Sequence, residues 1–452
     1  MTAVDKLREA RAIPRLGGGL PLLGHALEFR HNPVGLIQRG RDLFGDIFSF
    51  TLLGKRVNAL TGPSANAAFF KAPDHVLSSR EAYQFTVPIF GKGVAYDVSP
   101  ETMDAQLRLV HPALRDEKMQ SYVRFIADET EACIDRWENE GCVDLLAALN
   151  EITIYAAGRC LIGAEFRNTL SREFVDLYHD LEGGINLVAF FAPHLPLPAM
   201  LRRNRARKRV AALISGLVAA RKSEGRETDD FLNTLMQARD AHGDHLHDDT
   251  ITGLLLTLLF AGQHTSAVLA TWAGVLLMQD ADVMSHVLAE QNSVLTAQKI
   301  TFSAIRHLEY LDACIKEAER LHPPLVMLMR KVLKPFELDG FVIRPGELAL
   351  VSPATSHRVP EVFAEPLRYD PNRFLAGREE DRRTPYGLIG FGGGKHRCIG
   401  LAFAYQQVKV IWTMLLRRYS FSLVEECPQP DYRTFVVSPR APCLVRYRRR
   451  AN

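Results

Sequence analysis

The stretch FGGGKHRCIG, residues 391–400, decides the fold and the chemistry that we expect of this chain. Its glycines allow the backbone to approach a flat cofactor, and Cys398 at the tip of the turn can present a thiolate. A helix is predicted from about residue 400 to 418, and its positive N-terminal end would stabilise the thiolate charge. The stretch therefore predicts a cofactor-binding loop formed by Phe391, Gly392, Cys398 and Gly400.

The composition of the 452-residue chain is that of a soluble globular protein, with 47% hydrophobic and 24% charged residues. The 55 Lys and Arg nearly balance the 52 Asp and Glu, and a net charge of +3 argues against a nucleic-acid-binding protein. Seven scattered cysteines form no C-x-x-C pair, which argues against a disulfide framework or a zinc site and favours a reducing compartment.

No targeting or membrane segment is predicted. Residues 1–15 lack the apolar core of a signal peptide, and the longest apolar stretch, residues 254–262, is about half as long as a membrane span. We therefore expect a cytoplasmic protein without a membrane anchor.

The pattern along the chain favours one mainly α domain, residues 1–452, with a minor β part. Residues 1–100 are expected to be β-rich, residues 101–335 helical, and residues 336–452 composed of strands and loops with one last helix. Residues 249–277 are apolar on nearly all sides, which predicts a buried helix. The basic run at residues 202–209 is interpreted as a solvated helix face, with a membrane-surface or ligand-entrance role as the alternative.

The cysteine stretch matches F-x-x-G-x-H-x-C-x-G in full and resembles that of the haem-thiolate monooxygenases, the cytochrome P450 superfamily. The resemblance implies a haem b cofactor held between the buried helix and the cysteine loop, with Cys398 as the axial ligand of the iron. A thiolate ligand favours cleavage of the O–O bond, which suits this chemistry.

A second motif precedes the cysteine loop in the order that the superfamily shows. Glu317 and Arg320 in EAER resemble its E-x-x-R, and Arg373 in DPNRF resembles the arginine that completes a buried cluster. The first two side chains lie at i and i+3 of a helix, on one face. We expect a structural role for all three, because buried charges persist only when they are paired.

The segment AGQHTS, residues 261–266, resembles the oxygen-activating part of the superfamily's long helix. Ala261 would leave room for dioxygen, and Thr265 would assist its activation. His264 replaces the usual acid, which is typical of sterol 14α-demethylases. The resemblance implies that His264 relays protons with an acidic partner, for which the matching candidate is Glu182; the alternative is a packed His264 and a solvated Glu182.

The segment YQFTVPIFG, residues 83–91, also resembles sterol 14α-demethylases, as do residues 322–330 and 445–450. The resemblance implies an elongated apolar pocket for a rigid sterol or triterpenoid. Its expected lining is Tyr83, Phe85, Thr86, Phe90, Ala261, Leu325, Met327 and Phe435.

Three residues match the superfamily's contacts with the haem propionates, namely Tyr83, Arg330 and His396. Bacterial sterol demethylases have one more basic contact in the helix after the aromatic segment. Residues 101–112 are spaced differently here, and Arg108 is the nearest candidate.

The resemblance implies a monooxygenase that uses dioxygen and two external electrons, and in sterol 14α-demethylases three cycles remove a methyl group as formate. The chain contains no dinucleotide-binding G-x-G-x-x-G, so we expect electrons from a ferredoxin and a ferredoxin reductase. An acidic ferredoxin is expected to dock near Lys395 and Arg397 of a monomeric protein.

Three alternatives remain open at this stage. The chain could hydroxylate another lipid, such as a fatty acid or terpenoid. It could be a haem-thiolate isomerase or peroxygenase, against which Thr265 and Ser266 argue. It could also be a non-enzymatic haem sensor, which would not need the oxygen-activating segment.

Overall fold

The computed structural model describes residues 11–167, 171–185, 189–190, 192–193, 195–228, 230–240, 242–295, 300–425 and 428–451. These residues form many helices and a few small sheets, which confirms the mainly α prediction. The chain divides into two compact units, each built from segments that are distant in sequence.

The first unit comprises Met1–Ala82, Lys316–Cys398 and Asp431–Val437. Its five-stranded sheet has the spatial order Ile47–Leu52, Lys55–Leu60, Leu348–Val351, Leu328–Val332 and Leu77–Ser78. A two-stranded hairpin, Phe336–Leu338 and Phe341–Ile343, accompanies it. Its helices are Ala26–His31, Pro33–Phe44, Gly62–Lys71, Ser79–Ala82, Pro353–Ser356 and Glu380–Arg383, with 3₁₀ turns at Pro371–Phe374 and Gly394–His396.

The second unit comprises Tyr83–Ile315, Ile399–Pro430 and Ser438–Asn452. Its three-stranded sheet has the order Glu140–Asp144, Leu444–Arg449 and Tyr419–Leu423. Its α-helices are Val87–Phe90, Pro100–Val110, Asp116–Ile134, Leu145–Ile162, Ser171–Glu182, Pro198–Glu224, Phe231–Gln237, Asp248–Gln279, Ala281–Val294, Phe302–Arg306 and Leu401–Arg418. The remaining helix, Glu309–Leu321, begins in this unit and ends in the first.

The helix Asp248–Gln279, here called the long helix, consists of a largely apolar sequence flanked by the polar residues His247 and Asp280. The side chain of His247 accepts the backbone N–H of Asp249 at its start. Residues 266–277 are fully buried, as the apolar pattern predicts. The indole of Trp412 in the helix Leu401–Arg418 donates to the carbonyl of Ala270 at 2.8 Å, which fixes the packing of the two helices.

Several sequence expectations need correction in detail. Within the described residues 11–100, three helices of six to twelve residues accompany the expected strand pair. The basic run is not uniformly solvated, because Arg203 is only 1% exposed and Arg207 is largely buried. These two lie at i and i+4 on the same face as the buried Ala206 and Val210, and Arg203 donates to the carbonyl of Pro193. Cys427 lies outside the described residues.

Two helices, Leu145–Ile162 and the long helix, are long and apolar enough to cross a membrane by length and composition. In each, 61% of the most apolar window is buried inside the structure, as in the core helices of many proteins.

Candidate active site

The cysteine loop, residues 391–398, closes on itself through its backbone. The N–H of Cys398 donates to the carbonyl of Phe391 at 2.8 Å, and the N–H of Gly392 donates to the carbonyl of Ile389 at 2.9 Å. Gly392 has a φ of +72°, and a Cβ there would come within 2.7 Å of the carbonyl oxygen of His396. The turn therefore requires glycine and leaves the Cys398 thiol exposed. The helix Leu401–Arg418 begins three residues later in sequence.

The predicted ionic cluster is present and fully buried. Arg320 donates to the Glu317 carboxylate at 2.6 and 2.8 Å, and Arg373 donates to it at 2.9 Å. The side chains of Glu317 and Arg320 are 0% exposed and that of Arg373 is 1% exposed. Arg373 also pairs with Glu380 at 2.7 Å, so the cluster contains two carboxylates and two guanidinium groups and its charges balance.

His357 lies between this cluster and the segment that leads into the cysteine loop. Its Nδ1 is 3.1 Å from the carbonyl oxygen of Arg320, and its Nε2 is 2.8 Å from the backbone nitrogen of Ile389. Burial lowers the pKa of His357 to about 3, and the charges of Arg320 and Arg358 act in the same direction. The ring is therefore neutral at physiological pH.

The long helix has one open region in its middle. Ala261 is exposed, and a Cβ placed on Gly262 would meet nothing within 4 Å. The half-buried Thr265 donates its hydroxyl to the carbonyl of Ala261 at 2.6 Å, a bond that often bends helices. The predicted oxygen-activating segment therefore borders open space rather than packed side chains.

The predicted contact between His264 and Glu182 is present. Nδ1 of His264 lies 2.8 Å from Oε1 of Glu182, and both side chains are about a quarter exposed, at 24% and 22%. The other oxygen of Glu182 lies 3.5 Å from Nδ1 of His179, one turn earlier in the same helix. Burial alone would raise the pKa of Glu182. Its hydrogen bonds with His179 and His264 together have the larger effect and hold that pKa below its usual range, so the carboxylate remains charged.

The aromatic segment after residue 82 packs through stacked rings. Tyr83 stacks on Tyr96 at 5.0 Å between ring centroids and contacts Phe85 at 5.8 Å. Phe90 meets Phe260 of the long helix edge to face at 5.9 Å. Phe85, Thr86 and Phe90 are buried while Tyr83 is half-buried, so this part of the predicted lining is well packed.

The remaining lining candidates lie in the first unit. Leu325 is half-buried, and Met327 packs against an apolar cluster that includes Val326 and Val437. Phe435 is 37% exposed. Of the other candidates, Ala261 lies on the open part of the long helix, and Arg108 is exposed in the last turn of the helix Pro100–Val110.

Two predicted propionate contacts, Arg330 and His396, have protein partners of their own. Arg330 is 2% exposed, donates to the carbonyl of Phe69 at 2.8 Å and stacks over its ring. Nε2 of His396 lies 3.0 Å from Asp74, which also pairs with Lys395. Burial, together with the charge of Arg330, lowers the pKa of His396 to about 4, so its contact with Asp74 is a hydrogen bond from a neutral ring at pH 7.

Two observations, one on the thiol and one on the long helix, fit a haem cofactor. The exposed thiol of Cys398 suits iron that a macrocycle already holds, because such iron can be ligated by one protein side chain. The open stretch at Ala261 and Gly262 also suits a group that lies flat against a helix. Cys398 would hold the iron.

Three residues that contact the predicted site residues or the segment before the cysteine loop were not among the sequence candidates. Asp74 and His357 are each distant in sequence from the residues that they contact. His179 lies in the same four-residue segment as Glu182, where helical i, i+3 spacing could have identified it.

The loop with an exposed thiol, the buried Glu317 cluster and the open long helix define a haem-thiolate protein. A sequence model of the cytochrome P450 family matches residues 14–445, and the chain belongs to this family. It is a cytochrome P450 monooxygenase, and its cofactor is haem b.

Similar proteins extend along nearly the whole chain. The chain is 38% identical to the sterol 14-demethylase of Arabidopsis thaliana, covering 98% of this chain and 92% of that protein. It is 39% identical to the sterol 14alpha-demethylase of Mycobacterium bovis, with coverages of 98% and 99%, and 35% identical to the lanosterol 14-alpha demethylase of Bos taurus, with coverages of 98% and 89%.

A solved structure shares the fold. It is retinoic acid bound cyanobacterial CYP120A1, with a TM-score of 0.87, 23% identity, and coverage of 98% of this chain and 100% of that one. At this identity the likeness concerns the fold alone. It confirms the predicted cytochrome P450 fold.

Proposed function

We propose that this monooxygenase removes the 14α-methyl group of a sterol or a sterol-like triterpenoid. The observation that carries the proposal is the identity of 35–39% with sterol 14-demethylases of plant, bacterial and animal origin over 98% of the chain. The aromatic segment at residues 83–91 and the histidine at position 264 support the same substrate class.

Cys398 would hold the haem iron through its thiolate. When bound, the haem activates dioxygen for oxidation of an unactivated C–H bond. The protein contributes by keeping the thiol at the surface of a rigid turn, through the bond from Cys398 N–H to Phe391 and the conformation of Gly392. An exposed sulfur on a fixed backbone can be ligated without reorganising the loop.

His264 and Glu182 are assigned as a proton relay into the site. An imidazole ring can accept a proton at one nitrogen and release one from the other, and the 2.8 Å bond to the charged Glu182 fixes the orientation of the His264 ring. Because both side chains are partly exposed, protons can exchange with solvent at this pair. The contact joins the helix Ser171–Glu182 to the long helix, so movement of the former would break it and link proton delivery to substrate entry.

Thr265 is assigned the last step of proton positioning. Its hydroxyl donates to the carbonyl of Ala261 at 2.6 Å, and its oxygen can accept a hydrogen bond at the same time. Rotation of the hydroxyl would let it donate to an oxygen atom beside Ala261 and accept a proton in return.

The redox partner and cellular setting belong to the proposal as well. We assign a ferredoxin and its reductase as electron donors, a cytoplasmic location and a monomeric state. Arg397 is an exposed residue of the cysteine loop. Lys395 is also exposed but forms an ion pair with Asp74 at 2.5 Å. An acidic ferredoxin surface would find a complementary charge at Arg397 and Lys395.

A spectral titration of the ferric holoenzyme tests the substrate class. The probes are a 14α-methyl sterol, the matching sterol without that methyl group, a terpenoid and a long-chain fatty acid. We expect the 14α-methyl sterol to bind with the highest affinity and to yield formate on turnover with ferredoxin, ferredoxin reductase, NADPH and dioxygen. A preference for the fatty acid, or sterol hydroxylation without formate, would replace the proposal with another lipid oxidation.

A further inference from the structure

His357 is a buried titratable residue that the proposed mechanism does not use. It follows the short helix Pro353–Ser356 and is 0% exposed. Arg320 of the Glu317 cluster donates from its guanidinium to the carbonyl of His357 at 2.9 Å, and the ring of His357 contacts the carbonyl of Arg320 at 3.1 Å. Each residue therefore holds the backbone of the other.

The second ring nitrogen of His357 contacts the segment that leads into the cysteine loop. The N–H of Ile389 donates to Nε2 at 2.8 Å. A backbone N–H can only donate and a backbone carbonyl can only accept, so Nε2 is the acceptor and Nδ1 carries the proton. Both positions are therefore chemically specified, and the ring is more than a space-filling group.

The contacts continue from Ile389 to the thiol-bearing turn. The carbonyl of Ile389 accepts the N–H of Gly392 at 2.9 Å, and the carbonyl of Phe391 accepts the N–H of Cys398 at 2.8 Å. All of these residues belong to the first unit. An unbroken series of hydrogen bonds thus runs from the Glu317 carboxylate through Arg320 and His357 to the cysteine loop.

We propose that His357 is a positioning residue that transmits the rigidity of the Glu317 cluster to the cysteine loop and so holds the Cys398 thiolate in its ligating position. The inference rests on the proposed axial role of Cys398. A free Ile389 N–H in this buried place would be left without an acceptor, which destabilises the entry to the loop.

The charged groups that face the ring favour the neutral form. They are the guanidinium of Arg320 and that of Arg358, the next residue in the chain. Protonation would direct a second N–H at the N–H of Ile389 and would place a third positive charge beside these two. The link is therefore intact throughout the pH range in which the enzyme would work.

Two amide variants separate the link from simple packing. In His357→Gln the amide oxygen can reach the position of Nε2 and accept from Ile389, whereas in His357→Asn the shorter amide reaches only the position of Nδ1 and can donate to Arg320. The readout is the thiolate-specific absorption of the ferrous–carbon monoxide complex, followed as it decays at elevated temperature. His357→Asn should lose the signature about tenfold faster than His357→Gln, the factor that corresponds to ~1.4 kcal/mol.

Equal decay in the two variants would overturn the inference, because loss of packing alone would affect both. Haem incorporation by His357→Gln but not by His357→Asn would support it. Hydrogen exchange in the unmodified holoenzyme gives an independent test, since the Ile389 amide should be protected as strongly as core amides, and rapid exchange would contradict the link. Absence of the thiolate signature in the wild-type holoenzyme would instead reject the role of Cys398 itself.

Discussion

Glu317 and Glu182 each lie between two basic side chains, yet their surroundings differ in almost every respect. Glu317 is 0% exposed and bonded to two arginines at 2.6–2.9 Å. Glu182 is 22% exposed and contacts two histidines at 2.8 and 3.5 Å. Arginine stays charged at every relevant pH, whereas histidine gains and loses its proton near neutrality.

The difference shows how one chain uses a carboxylate for two purposes. A fully buried ion pair is expensive to break, because separation leaves an unpaired charge in a medium that cannot solvate it. A partly exposed carboxylate with histidine partners, such as Glu182, can exchange them at low cost. The Glu317 cluster is therefore suited to hold a loop in place, and the Glu182 pair is suited to form and break during turnover.

The largest effect is expected at the cysteine that the rigid cluster supports. Cys398→Ser should abolish the thiolate-specific absorption of the ferrous–carbon monoxide complex, because a hydroxyl does not replace the soft, electron-donating sulfur. Cys142→Ser, at another exposed cysteine, serves as the control and should keep the signature. An unchanged spectrum in Cys398→Ser would refute the axial assignment.

The next effect tests the buried side of the comparison. Glu317→Ala leaves two buried guanidinium groups with one carboxylate fewer and should cost roughly 3–5 kcal/mol of unfolding free energy, so the variant should lack stable haem. Glu365→Ala removes a matched i, i+3 partner of Arg368 whose pair is about 70% exposed, and it should cost about 0–1 kcal/mol. Denaturant unfolding and haem content measure both variants, and similar losses in the two would remove the distinction.

The sequence predicted those parts of the site that depend on residue type and local spacing. Glu317 and Arg320 lie one helical turn apart, and the glycines of the cysteine loop are demanded by its backbone. The long helix was predictable as residues 249–277, within two residues of its observed ends, because its apolar residues surround its axis.

The rest depends on contacts between distant segments, which periodicity does not encode. The basic run illustrates this, since a count of charges predicted a solvated face, whereas Arg203 is buried and donates to the carbonyl of Pro193. His357 meets Ile389 across 32 residues. The pairing of His396 with Asp74 spans 322 residues and could be found only in the folded chain.

A smaller effect is expected when the reversible pair is altered. Glu182→Gln keeps the size of the side chain but removes its charge, so His264 loses the charged partner that fixes the orientation of its ring. Substrate affinity should be retained, while turnover should fall by about tenfold or more. The fraction of reducing equivalents released as hydrogen peroxide should rise.

Glu173→Gln provides the control for that variant. Glu173 lies in the same helix but is exposed and pairs with Arg209. Its removal should leave turnover and coupling unchanged. If Glu182→Gln behaves like Glu173→Gln, the relay is wrong even though the assignment to the family stands.

The smallest effect is expected for His179, the second histidine that contacts Glu182. Its hydrogen bond with Glu182 is the main cause that raises the pKa of His179, and it also helps to hold the pKa of Glu182 below its usual range. A carboxylate with a lowered pKa stabilises the folded pair above its ordinary pKa and loses that contribution as the pH falls through the folded value. In His179→Gln the pKa of Glu182 should move back toward normal, so protonation should begin at a higher pH.

The acid limb of the turnover–pH profile should therefore shift upward in His179→Gln, but only in part, because His264 still contacts Glu182. Above neutral pH the variant should match the wild type, since the Glu182 carboxylate is then ionised in both. His286→Gln, at an exposed histidine that contacts the backbone carbonyl of Asp282 and the ring of Tyr310 rather than Glu182, should show the wild-type profile throughout. A His179→Gln profile identical to that of wild type would mean that His264 alone lowers the pKa of Glu182. The carboxylate would then have one functional partner instead of two.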